Sequence, residues 1–410
     1  MSFPLLAFLF IVIHEYIGLA YQFPILRVIP FVLLIIFTML IYVVKSNGLK
    51  DVFSHRQSIL FVCFIMLTAL ALSHGYVRSY AVEPLKQEIG FFFLTIVGFY
   101  VLDSKDKIDK FVFVFVCCHV YLSFINFGKF HGPRTGGYTG GVFLGDGNDF
   151  AWSLCLTFPM ALYLVSIQKS FLRKSIAIAM SCILLYGITG TQSRGATLAL
   201  VASGMFYWLF FSKAKSKSLL LIGITVFSLT LILPQAYFGR LETLENYQQD
   251  DSARNRIIAW KAATKMAVDH PILGVGAGSY NSVYGRFYRD ENSPARWIST
   301  HSVYFNILAE YSFIGLLLYL SIIYLGLTES LRTRRLILEN PDRVSLSHRW
   351  PEFLSMSIIA FAVAAMFLTG VDYPHIYLLT ALAMATNRIV VRDLEKHANT
   401  ASEQASTGTT

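Results

Sequence analysis

Apolar runs of about 15–20 residues, each long enough to cross a lipid bilayer as an α-helix, recur along the chain and limit its possible folds. Charged residues make up only 14% of the 410 residues, and they cluster between the runs. Ordinary soluble domains contain roughly a quarter of charged residues. The pattern therefore argues against a soluble enzyme, a disordered chain and a nucleic-acid-binding domain. It predicts an all-α, polytopic membrane protein.

Hydropathy predicts about twelve membrane spans within an integral membrane domain, residues 1–392. Their predicted bounds are 4–20, 25–44, 58–73, 88–102, 111–128, 149–167, 175–189, 193–212, 218–234, 301–326, 352–370 and 374–391. A long, partly helical loop, 235–300, separates spans nine and ten. Residues 393–410 are rich in Ala, Ser and Thr, which predicts a disordered cytoplasmic tail.

Basic residues are distributed unequally between the two sides of these spans. The connections on the side of the N-terminus, with the tail and Arg388 just before it, hold twenty Lys and Arg residues, whereas the short connections on the other side hold six. Cytoplasmic loops carry an excess of Lys and Arg. Both termini are therefore predicted to be cytoplasmic, and the loop 235–300 is predicted to be external.

The loop 235–300 contains one segment with helical spacing. Apolar residues recur along Ser252–Val268 opposite a basic face, which predicts an amphipathic helix. This helix would lie on the outer membrane surface or cover a lipid-linked substrate. Arg254 and Arg256 at its start oppose the helix dipole, so a negative group is expected nearby. That group would be a neighbouring carboxylate or a phosphate.

Two further residues on the external side are candidates for chemistry. Arg194, at the outer end of span eight, would hold an anion with the help of helix-end amides or would anchor the helix at the lipid head groups. His301 begins span ten, where the helix N-terminus disfavours a protonated imidazole. Its ring should therefore be neutral at pH 7 and able to accept a proton, or else His301 is a structural histidine.

Supporting candidates share this side. Asp149, with Asn148 before it, would orient a cation or cap span six. Tyr304 follows His301 by three residues. Asp372 would support His301 or would be only a turn residue. The five cysteines lie inside apolar runs, and the sequence contains neither metal-ligand spacing nor a phosphate-binding loop. No metal, nucleotide or other cofactor is therefore expected.

Separated cations and a neutral imidazole suit the transfer of a group from a diphosphate to a hydroxyl. The cations would stabilise charge on the departing diphosphate, and the imidazole would remove the proton of the acceptor. A diphosphate ester with a polyprenyl tail is the expected donor. A transporter of lipid-linked glycans is the alternative from a different class, but a repeat between the two halves, which transporters often show, is not evident.

Three short motifs follow one another in the second half of the chain. They are Thr191-Gln-Ser-Arg-Gly-Ala196; Arg256-x-x-x-Trp260 with Pro271-Ile-Leu-Gly-Val-Gly276; and Thr300-His-Ser-x-Tyr304 with Glu310-Tyr-Ser-Phe-Ile-Gly315. In this order, the segment from about 145 to 320 resembles the superfamily of O-antigen ligases and polymerases. Protein O-glycosylation ligases belong to the same superfamily.

The resemblance implies a metal-independent, inverting glycosyltransferase of the bacterial inner membrane, with its active site facing the periplasm. Its donor would be a glycan linked to undecaprenyl diphosphate. Carried over by motif, Arg194 and Arg256 would contact the diphosphate, and His301 would activate the acceptor hydroxyl. The family often has His-Asn where this chain has His301-Ser302, so a role for that amide is left open.

Within the superfamily, the expected function is that of an O-antigen ligase, which attaches O-antigen to lipid A–core in lipopolysaccharide biosynthesis. The alternatives are a polymerase of O-antigen or exopolysaccharide and a protein O-glycosylation ligase. The stretch Asp-Gly-Asn-Asp-Phe at 146–150 resembles the O-glycosylation branch, so the acceptor is open between a glycan and a protein.

Overall fold

The structure, a computed structural model, describes residues 2–23, 25–28, 31–45, 48–130, 137–216, 251–289, 297–368, 370–371 and 373–407. These residues form helices and turns, and no strand occurs among them. The all-α class predicted from the sequence is confirmed.

Thirteen helices of seven or more residues are numbered here in chain order. They are α1 (Phe3–Ile17), α2 (Phe31–Lys45), α3 (Gly48–Ser54), α4 (Arg56–His74), α5 (Val82–Val101), α6 (Lys105–Ile125), α7 (Gly147–Ile167), α8 (Phe171–Gly190), α9 (Arg194–Phe210), α10 (Asp251–Asp269), α11 (Val303–Glu339), α12 (Arg349–Ala364) and α13 (His375–Thr407). Shorter turns of helix follow α1 at Leu19–Gln22 and Ile25–Val28, precede α5 at Arg78–Ala81, and follow α10 at Tyr280–Val283 and Tyr284–Tyr288.

Five helices of the described chain are long and apolar enough to cross a membrane, and they are α4, α6, α7, α8 and α11. Eleven of the predicted spans coincide with a helix, and the remaining one, 218–234, lies outside the described residues. The membrane class is thus supported. The count of about twelve spans and the periplasmic position of the loop stay predictions.

The centre of the bundle is formed by α7, which packs against α6, α8 and α12. Trp152 of α7 is fully buried and stacks on Phe361 of α12 with ring centroids 5.0 Å apart. The indole N–H of Trp152 donates a hydrogen bond to the backbone carbonyl of Phe361 at 3.2 Å. A polar group at this depth needs such a partner, because no water reaches it.

The helix predicted over Ser252–Val268 forms as α10, over Asp251–Asp269. Its small buried residues, including Ala259, Ala263 and Met266, lie in an apolar cluster that also contains residues of α11. Ile257, expected on the apolar face, is exposed. Because α10 packs against α11, it is not a helix that lies on a membrane surface alone.

The sequence predicts that a tail begins at residue 393. The last helix, α13, continues without a break past this residue to Thr407. Ser345 fixes the beginning of this extension, since its amide and hydroxyl both donate to Asp393, at 3.1 and 2.6 Å. The Ala, Glu and Gln residues that follow are good helix formers.

Candidate functional site

The turn before α9 holds Arg194 at the first position of the helix. Gln192 has a left-handed backbone with φ 54°, and Ser193 caps the helix by accepting a hydrogen bond from the amide of Ala196. A left-handed residue other than glycine costs about 1 kcal/mol or more, so surrounding packing must hold this turn. Arg194 is half-buried at a helix start, where backbone amides add positive potential.

The starts of α9 and α11 lie against the same short segment, residues 365–367. A Cβ atom on Gly195 would approach the Cβ of Phe367 to 2.8 Å, so the two backbones are close. The amide of Val303 donates to the carbonyl of Ala365 at 2.9 Å. Residues 365–367 thus contact the starts of both α9 and α11. These two helix starts therefore lie at the same end of the bundle, which we call the site end.

His301 lies at the site end, just before α11. Its backbone is left-handed, with φ 45°, and its side chain is exposed, whereas Thr300 and Ser302 on either side are buried. Partial desolvation lowers the pKa of His301, the charge of Arg256 lowers it further, and the charge of Asp146 opposes both. The ordinary pKa of histidine is about 6.5. A pKa below this value favours the neutral imidazole at pH 7.

The first turns of α10 lie beside His301. The indole N–H of Trp260 donates to the carbonyl of Thr300 at 2.8 Å. The Trp260 ring also stacks on Phe305, with centroids 4.7 Å apart and planes 9° from parallel. Arg256 is half-buried one turn before Trp260, close enough for its charge to act on the imidazole. The structure thus brings Arg256 and His301 together.

Arg254 has a different position on the same helix. At 3.6 residues per turn, it lies about 200° around α10 from Arg256. Its side chain is exposed, and it shares the exposed face of α10 with Lys261 and Lys265. Arg254 is therefore on the outside of the candidate site rather than beside the imidazole.

The supporting candidates make contacts that hold helices in place. The Asp149 carboxylate accepts a hydrogen bond from the hydroxyl of Tyr373 at 3.0 Å. The hydroxyl of Tyr304 donates to the carbonyl of Ala362 at 2.7 Å, which ties α11 to α12. The amide of Asn148 takes part in the cap of α7. The side chains of Asp149 and Tyr304 thus have hydrogen-bond partners in other segments of the bundle, whereas the contact of Asn148 is made by its backbone.

Asp146 is an acidic residue of the site that sequence reasoning did not select. Its carboxylate caps α7 by accepting from the amide of Asn148 at 2.7 Å, and its charge acts on His301. The stretch 146–150 does carry a local capping signal, an Asp followed by a polar first turn. Its proximity to His301 is a contact between distant parts of the chain, which no local pattern indicates.

Asp372, the remaining predicted site residue, lies outside the described residues. Across the part of the chain that the structure describes, no group of three or more His, Cys, Asp or Glu side chains could hold a metal ion. The charges of Arg256 and Asp146 both act on the pKa of His301.

A break in α11 receives the segment after α10. Ser312 has a non-helical backbone, with φ 56° and ψ −159°, so the helix kinks there. The carbonyls of Ala309 and Glu310 accept hydrogen bonds from the amides of Val275 and Gly276, both at 3.0 Å. Backbone groups freed by a kink in an apolar bundle need such partners. The segment after α10 is thereby fixed to α11.

The side chain of Glu310 strengthens this attachment. It is 6% exposed, and its carboxylate accepts a hydrogen bond from the amide of Tyr280 at 3.0 Å. Gly276, with φ 95°, lies so close to Gly75 that a Cβ atom would be 2.4 Å from its Cα. Only glycine fits here, because both the backbone angle and the close approach exclude a side chain. Through these contacts α10 is held beside His301.

The helical fold, the apolar helices and this cation–imidazole cluster define a membrane protein with a polar site at one end of its bundle. Residues 179–320 match the family model described as O-Antigen ligase, and this segment contains Arg194, Arg256 and His301. The match confirms the resemblance to the O-antigen ligase superfamily and supports a membrane enzyme of that family. Comparison with curated proteins gives no match to the chain.

Proposed function

We propose that the chain is an inner-membrane glycosyltransferase that moves a glycan from undecaprenyl diphosphate to an acceptor hydroxyl at the periplasmic face. The favoured acceptor is lipid A–core, which makes the chain an O-antigen ligase. The observation that carries this proposal is that α9, which begins with Arg194, and α11, which follows His301, start at one end of the bundle, where Trp260 of α10 donates to the carbonyl of Thr300. The uneven distribution of Lys and Arg supports the orientation, with both termini cytoplasmic.

The cations form the donor side of the proposed reaction. A diphosphate gains negative charge as its bond to the sugar breaks, and a guanidinium group binds phosphate oxygens in a bidentate fashion. We assign the diphosphate to Arg194 and Arg256, with Arg254 at the outer edge. The starts of α7, α9 and α11 add partial positive charge. These groups take the role that a metal ion has at other diphosphate sites, so the proposed transfer is metal-independent.

His301 forms the acceptor side. Its neutral imidazole takes the proton of the acceptor hydroxyl while the oxygen attacks the anomeric carbon. The new glycosidic bond forms as the bond from that carbon to the diphosphate oxygen breaks, and undecaprenyl diphosphate leaves. Attack opposite the leaving group inverts the anomeric configuration. Solvent then takes the proton from the imidazolium.

The same donor chemistry serves two other acceptors. A polymerase would transfer to a second lipid-linked glycan, and a protein O-glycosylation ligase would transfer to a hydroxyl of a protein. The stretch 146–150 resembles the O-glycosylation branch, so the protein acceptor stays a candidate beside the polymerase. The acceptor must therefore be identified by product analysis.

Reconstitution tests the proposal. Purified chain in lipid nanodiscs would receive the lipid-linked glycan that accumulates in the source organism when its gene is deleted. Lipid A–core, a second lipid-linked glycan and a cell-envelope protein fraction would be offered separately, with and without EDTA. We expect mass spectrometry to show one glycan added to lipid A–core, undecaprenyl diphosphate released in equal amount, and no effect of EDTA.

Other products would change the assignment in defined ways. A ladder on undecaprenyl diphosphate indicates a polymerase, and a glycosylated protein indicates the O-glycosylation branch. Movement of intact lipid-linked glycan between leaflets, without release of undecaprenyl diphosphate, would overturn the enzyme proposal in favour of a transporter. Loss of transfer in EDTA that added Mg²⁺ restores would overturn metal independence.

A further inference from the structure

One cavity at the site end has no role in the chemistry proposed above. It has a volume of about 810 Å³ and lies between the end of α10 and the end of α4. Its lining includes Tyr76, Lys265, Asp269, His270, Phe287 and Tyr288. Cavities of this size commonly hold small organic ligands.

The cavity is well separated from the imidazole. Asp269, which lines it, follows Arg256 by thirteen residues on one continuous helix. With a rise of 1.5 Å per residue, the two positions are about 20 Å apart along the axis. A ligand part bound here would therefore lie several sugar units away from a diphosphate held by Arg256.

Aromatic rings form the apolar part of the lining. Phe287 is 60% exposed, and its ring meets Tyr76 edge-on with centroids 5.0 Å apart. Exposed aromatic faces of this kind pack against flat apolar surfaces, and tyrosine adds a hydroxyl at its edge. A sugar ring has matching features, because its C–H groups form an apolar face and its hydroxyls form a polar rim.

Polar groups surround these rings. The Asp269 carboxylate accepts a hydrogen bond from the hydroxyl of Tyr288 at 2.8 Å, and the Lys265 ammonium lies 5.7 Å from the centre of the Tyr288 ring. Burial and the neighbouring carboxylate raise the pKa of Tyr288 to about 12, so the hydroxyl stays protonated. Lys265 and Asp269 carry opposite charges, and Arg286 lies 5.8 Å from the centre of the Tyr76 ring. The hydroxyl, carboxylate and ammonium groups of the lining can hydrogen-bond a polyhydroxylated ligand.

A second, smaller cavity lies along α10, on the side of Trp260. This shallower cavity has a volume of about 510 Å³. It shares Lys265 with the cavity of about 810 Å³ and extends to Trp260 and Phe305. This ring stack lies one turn from Arg256 and is bonded to Thr300, next to the imidazole. Together the two cavities extend along α10 from Asp269 to this ring stack.

We propose that the cavity of about 810 Å³ is a sugar-binding subsite for the glycan of the donor, several sugar units away from the reacting carbon. The donor is the occupant because the cavity lies on α10, the helix that also carries Arg256, and Arg256 is assigned to the diphosphate that bears the glycan. The role of this subsite in glycan transfer rests on the proposed function, whereas binding of the glycan to it does not. Binding and transfer are therefore tested separately.

The binding experiment uses the donor glycan without its diphosphate. Mild acid releases the glycan from the lipid-linked donor of the source organism, and its binding to full-length protein in nanodiscs is measured by calorimetry. We expect Phe287→Ala to weaken binding about tenfold or more and Asp269→Asn to weaken it less, since one stacking surface or one charged hydrogen bond is lost. Phe124→Ala, at a phenylalanine that is 76% exposed elsewhere, and His301→Ala should bind as wild type does.

Glycan length provides the kinetic arm. For a full-length donor, Phe287→Ala should raise KM about tenfold with kcat little changed. For a donor with one sugar, KM should change less than threefold, because one sugar cannot span the distance of about 20 Å. Equal changes for both donors would indicate a general structural effect and overturn the subsite.

The remaining outcomes separate the two proposals. Absence of binding by wild type, equal binding by Phe287→Ala, or binding of the core oligosaccharide alone would each overturn the donor subsite. Binding of released glycan that depends on Phe287, without any transfer by wild type, would support the subsite and overturn the proposed reaction.

Discussion

The two ends of the helical bundle use their charged residues differently. At the end opposite His301, acidic and basic side chains neutralise one another, as in the pairs Arg334–Glu352 and Lys107–Asp103, both at 2.7 Å. At the site end, Arg256 instead lies beside an imidazole and lowers its pKa. These pairs at the opposite end join oppositely charged side chains, whereas at the site end a cation acts on a group that can accept a proton.

Cavity volume alone would have pointed to the wrong end. The opposite end holds a cavity of about 980 Å³, larger than the one that we assign to sugar. Two arginines in its lining are occupied by the backbone, since Arg388 donates to the carbonyl of Tyr100 at 3.2 Å and Arg392 to that of Asp103 at 2.6 Å. Cations at a helix C-terminus stabilise that helix. We therefore expect substitutions at this end to change stability and those at the site end to change transfer.

The largest effect on transfer is expected from His301→Ala. Loss of a general base commonly slows a reaction about 10²- to 10⁴-fold. The exposed side chain fills no core space, so the melting temperature in detergent should stay close to that of wild type. His348→Ala, at the opposite end, is the matched control and should retain transfer. A variant without His301 that keeps the wild-type rate would remove the imidazole from the proposed reaction.

The next effect separates two arginines of one helix. Arg256→Gln should slow transfer about 10- to 100-fold, the size expected for a lost charged hydrogen bond to the diphosphate. Arg254→Gln should slow it less than about fivefold, because that side chain lies around the helix from the imidazole. Initial rates at saturating acceptor would measure both. An equal loss in the two variants would indicate that charge near α10, rather than position, matters.

A change in stability is expected from Arg334→Ala. Glu352 is 4% exposed, so removal of its partner leaves a buried carboxylate and should cost about 1–3 kcal/mol, reduced because Arg334 itself is partly exposed. Thermal unfolding in detergent would show a lower midpoint, with the transfer rate per folded molecule unchanged. Lys110→Ala is the control, since its pair with Asp106 is exposed and worth less than about 1 kcal/mol. Slower transfer without lower stability would contradict the division between the two ends.

Sequence reasoning predicted the elements that depend on local patterns. Apolar runs determine where helices form, because each run must bury its backbone polar groups within itself in a bilayer. Helix α10 was also predictable from a local pattern, because its periodic apolar residues and its capping signal lie within one segment. Composition does not indicate the hydrogen bonds from Ser345 to Asp393, which join distant parts of the chain at the beginning of the extension of α13.

The arrangement of the candidate site could be predicted only in part. The sequence motifs identified Arg194, Arg256 and His301 separately. The local sequence does not indicate that Arg256 rather than Arg254 lies beside the imidazole, because this depends on how α10 packs against α11. The alternate glycines from Gly274 onward indicate the end of a helix, whereas their attachment to the kink in α11 is a contact between distant residues. Packing, not local propensity, decides such contacts.

The smallest effect is a shift in pH dependence, and it examines the site end most directly. A general base works only when it is neutral, so transfer should fall as pH drops through the pKa of His301. The charge of Arg256 lowers that pKa and the charge of Asp146 raises it. In Arg256→Gln the acidic limb of the normalised rate profile should therefore move to higher pH. In Asp146→Asn it should move to lower pH, while asparagine still caps α7. A shift in the same direction in both variants would show that the limb does not report the imidazole between these two charges.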